Sequence, residues 1–321
     1  NISGAIWPGR LRMADAYAGL LCIGDPHLET RQPEFRRDDY PRVILDKLAW
    51  CLEYATEHRL LPALLGDLFD KPRDNATWML GALIDLFGRH EVVSIHGNHD
   101  CADPQLTEHD SMSLLYKSGV LRRLTAEEPW RGSFGEIPVV VGGSSYREPI
   151  PECFERPNGG FVIWLTHHDI RMPGYDGTWR VEPKPLAGID LVVNGHIHRE
   201  LEPVTCAETT WVTPGNIARR ARGAAAESTP GVLRVEPTDG QLLRSRIPVP
   251  HAPAAEVFHD VVAEAAEERG TSRFVAGLEE LQARRTDSAA GLRVFLDRNL
   301  GQFEDDVAAE IRRLAEEVML S

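Results

Sequence analysis

The sequence predicts an α/β architecture in which two β-sheets stack and helices flank them. Three observations carry this reading. Short apolar runs alternate with amphipathic stretches from Gly19 onward. After residue 137 the apolar runs crowd together with few helical stretches between them. Five of the runs end in clusters of Asp, His and Asn, the kind of termini an open sheet presents to a ligand.

Residues 1–17 have no clear period and read as an N-terminal arm. A first strand follows near Gly19. Val43 to His58 then places Val43, Ile44, Leu48, Cys51, Leu52 and Ala55 at helical spacing. Leu60 to Leu65 is an apolar strand, Trp78 to Phe87 a helix and Val92 to Ile95 another strand, a rhythm that implies a largely parallel sheet. Further strands are expected at 137–145, 161–166, 189–194, 209–213, 231–236 and 242–249. Clustered Pro, Gly and Glu mark loops at 125–136 and 147–160. The strand pattern stops near residue 250, so residues 18–250 form one domain and 251–321 a helical C-terminal region. There Phe303, Val307, Ile311, Leu314 and Val318 make an apolar stripe on an acidic helix suited to packing or to a partner.

Composition narrows the function classes. No run approaches the roughly 20 apolar residues of a membrane span, and the N-terminus lacks the basic-then-apolar layout of a signal peptide. The five cysteines are scattered with no CxxC pair, which disfavours a thiolate zinc site and fits a reducing, cytoplasmic setting. A net charge of −14 opposes diffuse attraction to nucleic acid, and residues 251–321, with 15 acidic and 8 basic side chains, hold half of that excess. Only four of the 35 basic residues are lysines. Arginine suits bidentate phosphate contact, although GC-rich coding produces the same bias.

The five segments read Leu20-Leu-Cys-Ile-Gly-Asp25-Pro-His27, Leu64-Leu-Gly-Asp67-Leu-Phe-Asp70, Ser94-Ile-His-Gly-Asn98-His99-Asp100, Ile163-Trp-Leu-Thr-His167-His168 and Leu191-Val-Val-Asn-Gly-His196-Ile-His198. In extended chain, residues i and i+2 share a face. Asp25 and His27 therefore point to one centre, as do His196 and His198. Asp, His and Asn make a mixed oxygen and nitrogen donor set suited to manganese, iron or zinc. Gly66, Gly97 and Gly195 each precede such a position, where a side chain would crowd the turn.

These blocks resemble the calcineurin-like metallophosphoesterase superfamily, with its D-x-H, G-D-x-x-D, G-N-H-D/E, H and G-H-x-H pattern, present here in order across residues 25–198. The resemblance implies a four-layer α/β/β/α sandwich holding two divalent cations, expected to be manganese, with iron or zinc as alternatives. One cation takes Asp25, His27, Asp67 and His198. The other takes Asp67, Asn98, His167 and His196, with Asp67 shared. His167 is chosen over its neighbour His168 because the first histidine after the strand usually ligates in the family. Two such cations clamp a phosphate and acidify a water for in-line attack. The resemblance leaves His99 without a cation, free to stabilise the transition state or protonate the leaving oxygen, and makes Asp70 its orienting partner. Asp100 is expected to shape its turn. His58, His90, His96, His109, His251 and His259 match no block and are expected at the surface or in packing.

The third block ends in Asp100 and Asp70 is followed by Lys71-Pro72, which disfavours phosphoprotein phosphatases. Gly66-Asp-Leu-Phe-Asp-Lys-Pro72, Gly97-Asn-His-Asp100, Thr213-Pro-Gly-Asn-Ile-Ala-Arg-Arg220 and Pro230-Gly-Val-Leu-Arg-Val235 resemble the SbcD-type exonuclease subunits of DNA repair. That resemblance implies a metal-dependent nuclease acting on DNA, with an SMC-like ATPase partner held by the C-terminal helices and a possible homodimer. Arg31, Arg36, Arg37, Arg219, Arg220 and Arg222 are the arginines expected near the site. About 70 residues follow the catalytic domain, so a separate DNA-capping domain is expected to be absent or reduced. A phosphodiesterase acting on cyclic nucleotides is the alternative, and an inactive scaffold the remaining one.

Overall fold

The computed structural model describes residues 17–33, 36–175, 177, 179–219, 229–238, 240–259 and 313. Residues 1–16 of the expected arm, Arg220, Arg222 and the stripe from Phe303 to Val318 lie outside the described residues, while Tyr17 bridges to Phe134. Residues 1–259 form one compact unit and 260–321 a second.

Chain order in the first unit is β1 (Gly19–Ile23), α1 (Tyr40–Glu57), β2 (Leu60–Leu65), α2 (Thr77–Phe87), β3 (Val93–Ile95), α3 (Ser111–Lys117), β4 (Arg122–Arg123), β5 (Trp130–Phe134), β6 (Ile137–Ser144), β7 (Phe161–Thr166), β8 (Leu191–Asn194), β9 (Glu200–Cys206), β10 (Thr209–Pro214), β11 (Gly231–Thr238), β12 (Gln241–Pro248) and α4 (Ala254–Val257). Two six-stranded sheets result, ordered β12-β11-β1-β2-β3-β4 and β5-β6-β7-β8-β10-β9. β1 to β4 run parallel, as do β6, β7, β8 and β10. Antiparallel strands close the remaining edges.

The period of two along each strand explains the stacking. Leu20 and Cys22 of β1 join Leu61, Ala63 and Leu65 of β2 in the core between the sheets, where they meet Ile163 and Leu165 of β7 and Val193 of β8. Leu21, Ile23 and Leu64 point the other way, onto Ile44, Leu48, Cys51 and Leu52 of α1 and Leu83 and Phe87 of α2. α1 starts where Asp39 accepts a hydrogen bond from the Arg42 amide, with Pro41 in the first turn. Each fully buried Leu or Ile contributes about 1.5–3 kcal/mol, so these two faces hold the sandwich together.

The outer face of the second sheet is covered by non-helical chain among the described residues. Val162, Trp164, Val192 and Trp211 are covered by Ile170, Met172, Leu186 and Ile189 from irregular chain, with Phe154 packed against them. That chain is stitched by the bridges Cys153↔Ala187 and Ile170↔Val181 and holds no helix among its described residues. Three strands were not expected: β5, β9 and the two-residue β4, which pairs with β3. β5 lies inside the 125–136 stretch, with Trp130 and Phe134 buried and the polar residues between them outward. β9 is a charged edge strand, Glu200-Leu-Glu-Pro-Val-Thr-Cys, half-exposed along its length. No helix among the described residues is long and apolar enough to cross a membrane.

Candidate metal centre

Every candidate ligand, together with Asp70 and His99, lies just past the C-terminal end of a parallel strand, where ligands gather in open α/β sheets. Asp25 and His27 follow β1, Asp67 and Asp70 follow β2, and Asn98 and His99 follow β3. His167 follows β7, while His196 and His198 follow β8. The centre therefore straddles the rim of the sandwich, fed by both sheets. Beyond the strands, the first two loops keep pairing: the His27 amide donates to the Asp67 carbonyl (2.9 Å) and the Asp70 amide to the Leu28 carbonyl (2.9 Å).

Four of these residues adopt the left-handed region: Asp25 (φ 44°), His27 (φ 47°), Asp67 (φ 48°) and His196 (φ 67°). Only three other non-glycine residues do so among the described residues. The conformation costs on the order of 1–3 kcal/mol per residue, and such strain collects at functional sites. Gly97 shows why the loops must be so tight. A Cβ there would lie 2.1 Å from Asp67 Oδ1, and one at Gly66 would lie 2.5 Å from His167 Nδ1.

Beside a cluster of His27, Asp70 and His99, the side chains form two donor groups joined at one carboxylate. Asp25, His27, Asp67 and His198 converge in one group, and Asp67, His167 and His196 in the other. Asp67 Oδ2 stands 3.7 Å from His27 Nε2 and 3.2 Å from His167 Nε2, while Oδ1 accepts the His99 amide at 2.7 Å. Asn98 Oδ1 completes the second group, 3.1 Å from His167 Nε2 and 2.9 Å from His196 Nδ1. His27 Nε2 and His198 Nε2 face each other at 2.9 Å in the first. Asp25 Oδ1 accepts the His196 amide (2.9 Å), and its buried Oδ2 has no hydrogen-bond partner.

Hydrogen bonds on the far side of the rings set the tautomers. His167 Nδ1–H donates to the Leu65 carbonyl (2.7 Å), so in the neutral ring Nε2 carries the lone pair, facing Asp67 and Asn98. His196 Nε2–H donates to Asp169 Oδ1 (2.7 Å), so its lone pair is on Nδ1, facing Asn98. With the His167 ring neutral, lone pairs of His167, His196, Asn98 and Asp67 face one another, an arrangement a cation satisfies. The residues fit the expected divalent ions on this ground.

Electrostatics point the same way. Asp25, Asp67 and Asp100 are buried together. Burial pushes the Asp25 carboxyl up to about 8, with His167 opposing and the charge of Asp67 adding to it. Burial and Asp67 push Asp100 up to about 7. His167 is driven up to about 10: burial opposes its charge, but the Asp67 carboxylate more than compensates. An acidic cluster in low dielectric demands positive charge, and bound cations supply it while keeping carboxylates ionised and imidazoles neutral.

The adjacent histidines face different ways. His168 turns from the centre, its Nε2 2.9 Å from the Glu148 carbonyl, and burial pushes it down to about 4. His99 stands beside the first group, its ring edge-on to His27 at 4.8 Å. Its Nδ1–H donates to the main-chain carbonyl of Asp70 (2.8 Å), whereas the Asp70 carboxylate lies 3.6 Å from both His99 Nδ1 and His27 Nδ1. Asp70 thus orients His99 through its backbone, with its carboxylate between the two rings. Asp100 shapes its turn, accepting the Phe69 (3.0 Å) and Gly97 (2.9 Å) amides. His96 is a packing residue, held down to about 3 by burial and by Arg123 and His167.

Two residues escaped the sequence reading. Asp169 binds His196, and its carboxyl is held below the usual range: burial opposes this, but the His196 hydrogen bond and charge prevail. Tyr146 stacks on His196 at 6.2 Å. The only sequence signal was that Asp169 directly follows the His167-His168 pair. Two of the arginines expected near the site are structural instead. Arg36 is buried against Asp38 (2.6 Å) and the Tyr40 ring, and Arg219 is buried with its guanidinium on the Ala252 carbonyl.

Solved structures similar to the chain include a hypothetical protein from Thermus thermophilus (12% identity, 72% of this chain and 99% of that one, TM-score 0.41). A protein from Streptococcus pneumoniae described as a predicted phosphoesterase aligns at 12% identity over 73% of this chain and 91% of that one, with TM-score 0.33. Vps29 complexed with zinc from Entamoeba histolytica aligns at 14% identity over 71% and 98%, with TM-score 0.32. No curated protein matches the sequence. The family model for calcineurin-like phosphoesterases matches residues 19–200, the span that supplies all five strand tips, and the chain therefore belongs to the calcineurin-like phosphoesterase family of metal-dependent hydrolases.

Proposed function

We propose that this enzyme is a two-cation phosphodiesterase whose substrate is DNA, of the SbcD type, working in the cytoplasm. The observation that carries the two-cation part is the position of Asp67 Oδ2 between His27 Nε2 and His167 Nε2. Asp25, His27, Asp67 and His198 would hold one cation, and Asp67, Asn98, His167 and His196 the other. When bound, the pair supplies a clamp for phosphate oxygens and a water acidic enough to attack phosphorus.

The chain's own residues do the rest. Asp67 holds both halves in register, and the Leu65 carbonyl and Asp169 fix the ring orientations. His99, anchored by Nδ1, presents Nε2 to the phosphate and in its protonated form gives that proton to the leaving oxygen.

DNA as substrate rests on the wording of Gly66–Pro72 and Gly97–Asp100. It is also supported by what borders the His196–His198 segment. Arg199 bonds the Gly174 carbonyl (3.2 Å), and in the same loop Arg171 lies over the exposed Trp179 ring at 5.0 Å. A flat aromatic with guanidinium groups suits bases and phosphates. Manganese is the proposed metal, and an ATPase gripped by residues 251–321 is the proposed partner. All five cysteines are unpaired, in keeping with a reducing compartment. The test is a rate comparison, with manganese, on linear duplex DNA, single-stranded DNA and cyclic nucleotides, with and without a cognate ATPase. DNA degradation is expected. A large preference for cyclic nucleotides, or inert behaviour toward DNA under all conditions, rejects the DNA assignment while leaving the metal centre standing.

A further inference from the structure

The two halves of the centre are not equally built. In the half formed by Asn98, His167 and His196, both imidazoles are locked from behind: His167 by the Leu65 carbonyl at 2.7 Å, and His196 by the Asp169 carboxylate at 2.7 Å. His196 is further fixed by the Tyr146 ring against its face and by its own amide on Asp25 (2.9 Å). In the other half, the carboxylate behind His27 is more distant, Asp70 Oδ1 standing 3.6 Å from His27 Nδ1, and His198 is nearly half exposed (46%), its Nε2 2.9 Å from His27 Nε2 and 3.8 Å from Asp25 Oδ1.

The main chain at Asp169 is held independently of its side chain. Its carbonyl accepts the Arg180 (2.9 Å) and Val181 (3.0 Å) amides, which close the Ile170↔Val181 bridge. The carboxylate is therefore available for a task other than shaping the loop. A carboxylate behind a ligating imidazole fixes the ring and raises its basicity, and such outer partners change metal affinity by about 10–100-fold.

We propose that Asp169 is a positioning residue that holds His196 with Nδ1 turned to Asn98, so that this half binds its cation more tightly than the Asp25–His27–His198 half and loads first. The inference rests on the two-cation reading above. It adds an order of loading and names the side chain that sets it.

The test is manganese-binding calorimetry on the full chain, paired with anomalous diffraction at one equivalent of manganese. The wild-type protein is expected to bind in two steps, the first at Asn98, His167 and His196. Asp169→Asn keeps size and backbone but loses the charge; it should weaken the tight step by about 10–100-fold and leave the weak step unchanged. Asp169→Glu should recover part of the loss. Nitrogen-15 spectra of the metal-free wild type give a readout independent of any variant's folding: His196 should carry its proton on Nε2. Two wild-type steps with an unaltered tight step in Asp169→Asn, first loading at the His198 side, or a His196 proton on Nδ1 overturns this inference alone. Wild-type protein that takes fewer than two cations overturns the metal-centre reading as well.

Discussion

Gly97→Ala tests the geometry at the shared carboxylate most sharply. A Cβ at residue 97 would stand 2.1 Å from Asp67 Oδ1, 2.7 Å from its Cγ and 2.6 Å from its amide nitrogen, where ordinary contact begins at 3.4 Å. Neither side can yield freely. The Gly97 amide is tied to Asp100 Oδ2 at 2.9 Å, and Asp67 Oδ1 already accepts the His99 amide at 2.7 Å. Relief requires a shift of about 1.3 Å in the carboxylate proposed to serve both cations, and misplacement by about 1 Å costs on the order of 10²-fold in rate. That corresponds to about 2.7 kcal/mol of transition-state stabilisation. The assay is kcat on a model phosphodiester with saturating manganese, together with bound metal by mass spectrometry. Gly81→Ala is the control: nothing lies within 4 Å of a Cβ there, and the site is mid-helix in α2. It should leave kcat unchanged and raise stability by about 0.5–1 kcal/mol. A Gly97→Ala enzyme with wild-type kcat and metal content would refute the reasoning.

Three further outcomes follow from the same geometry. His99→Ala keeps the amide that binds Asp67 and removes only the ring, so kcat should fall about 10²–10⁴-fold with metal content intact; a fully active variant removes His99 from the chemistry. His167→Ala should lose one cation, whereas His168→Ala, whose ring bonds the Glu148 carbonyl, should lower thermal stability but retain both, as calorimetry with manganese would show. Lys47 is buried on the Ile217 carbonyl, and burial with the Arg219 and Arg36 charges pushes its ammonium down to about 7. The unfolded chain keeps that proton up to about pH 10, so it binds more protons than the folded state across that window and stability rises with pH there. Denaturant melts of Lys47→Met should lose that slope; a slope unchanged from wild type would show that Lys47 does not titrate as its burial implies.

Much of this was legible in the sequence because the information is local. An apolar run followed by Gly-Asp or Gly-Asn-His writes a strand and its terminal donor side chains within eight residues, and the pairing of His196 with His198 is a matter of period. Elements that the sequence hid were hidden for physical reasons. Trp130 and Phe134 of β5 are inward positions separated by Gly132, so the alternation hides behind polar residues that read as loop. The cover of the second sheet draws Ile170, Met172, Leu186 and Ile189 from chain with no period of its own. Within the site, the choice between His167 and His168 turns on what lies behind each ring, the Leu65 and Glu148 carbonyls, and neither is near in sequence. Asp169 was invisible for the same reason: its partner is 27 residues away, and only the pairing of β7 beside β8 brings them together. Arg36 and Arg219 misled because composition says nothing about whether a guanidinium faces solvent or an Asp38 carboxylate and a main-chain carbonyl.

The central claim is that one aspartate is shared by two cations. Anomalous diffraction from crystals saturated with manganese addresses it directly. The account predicts two peaks flanking the Asp67 carboxylate, one beside Asp25, His27 and His198, the other beside Asn98, His167 and His196. A single peak, or peaks that leave Asp67 outside coordination, would contradict it.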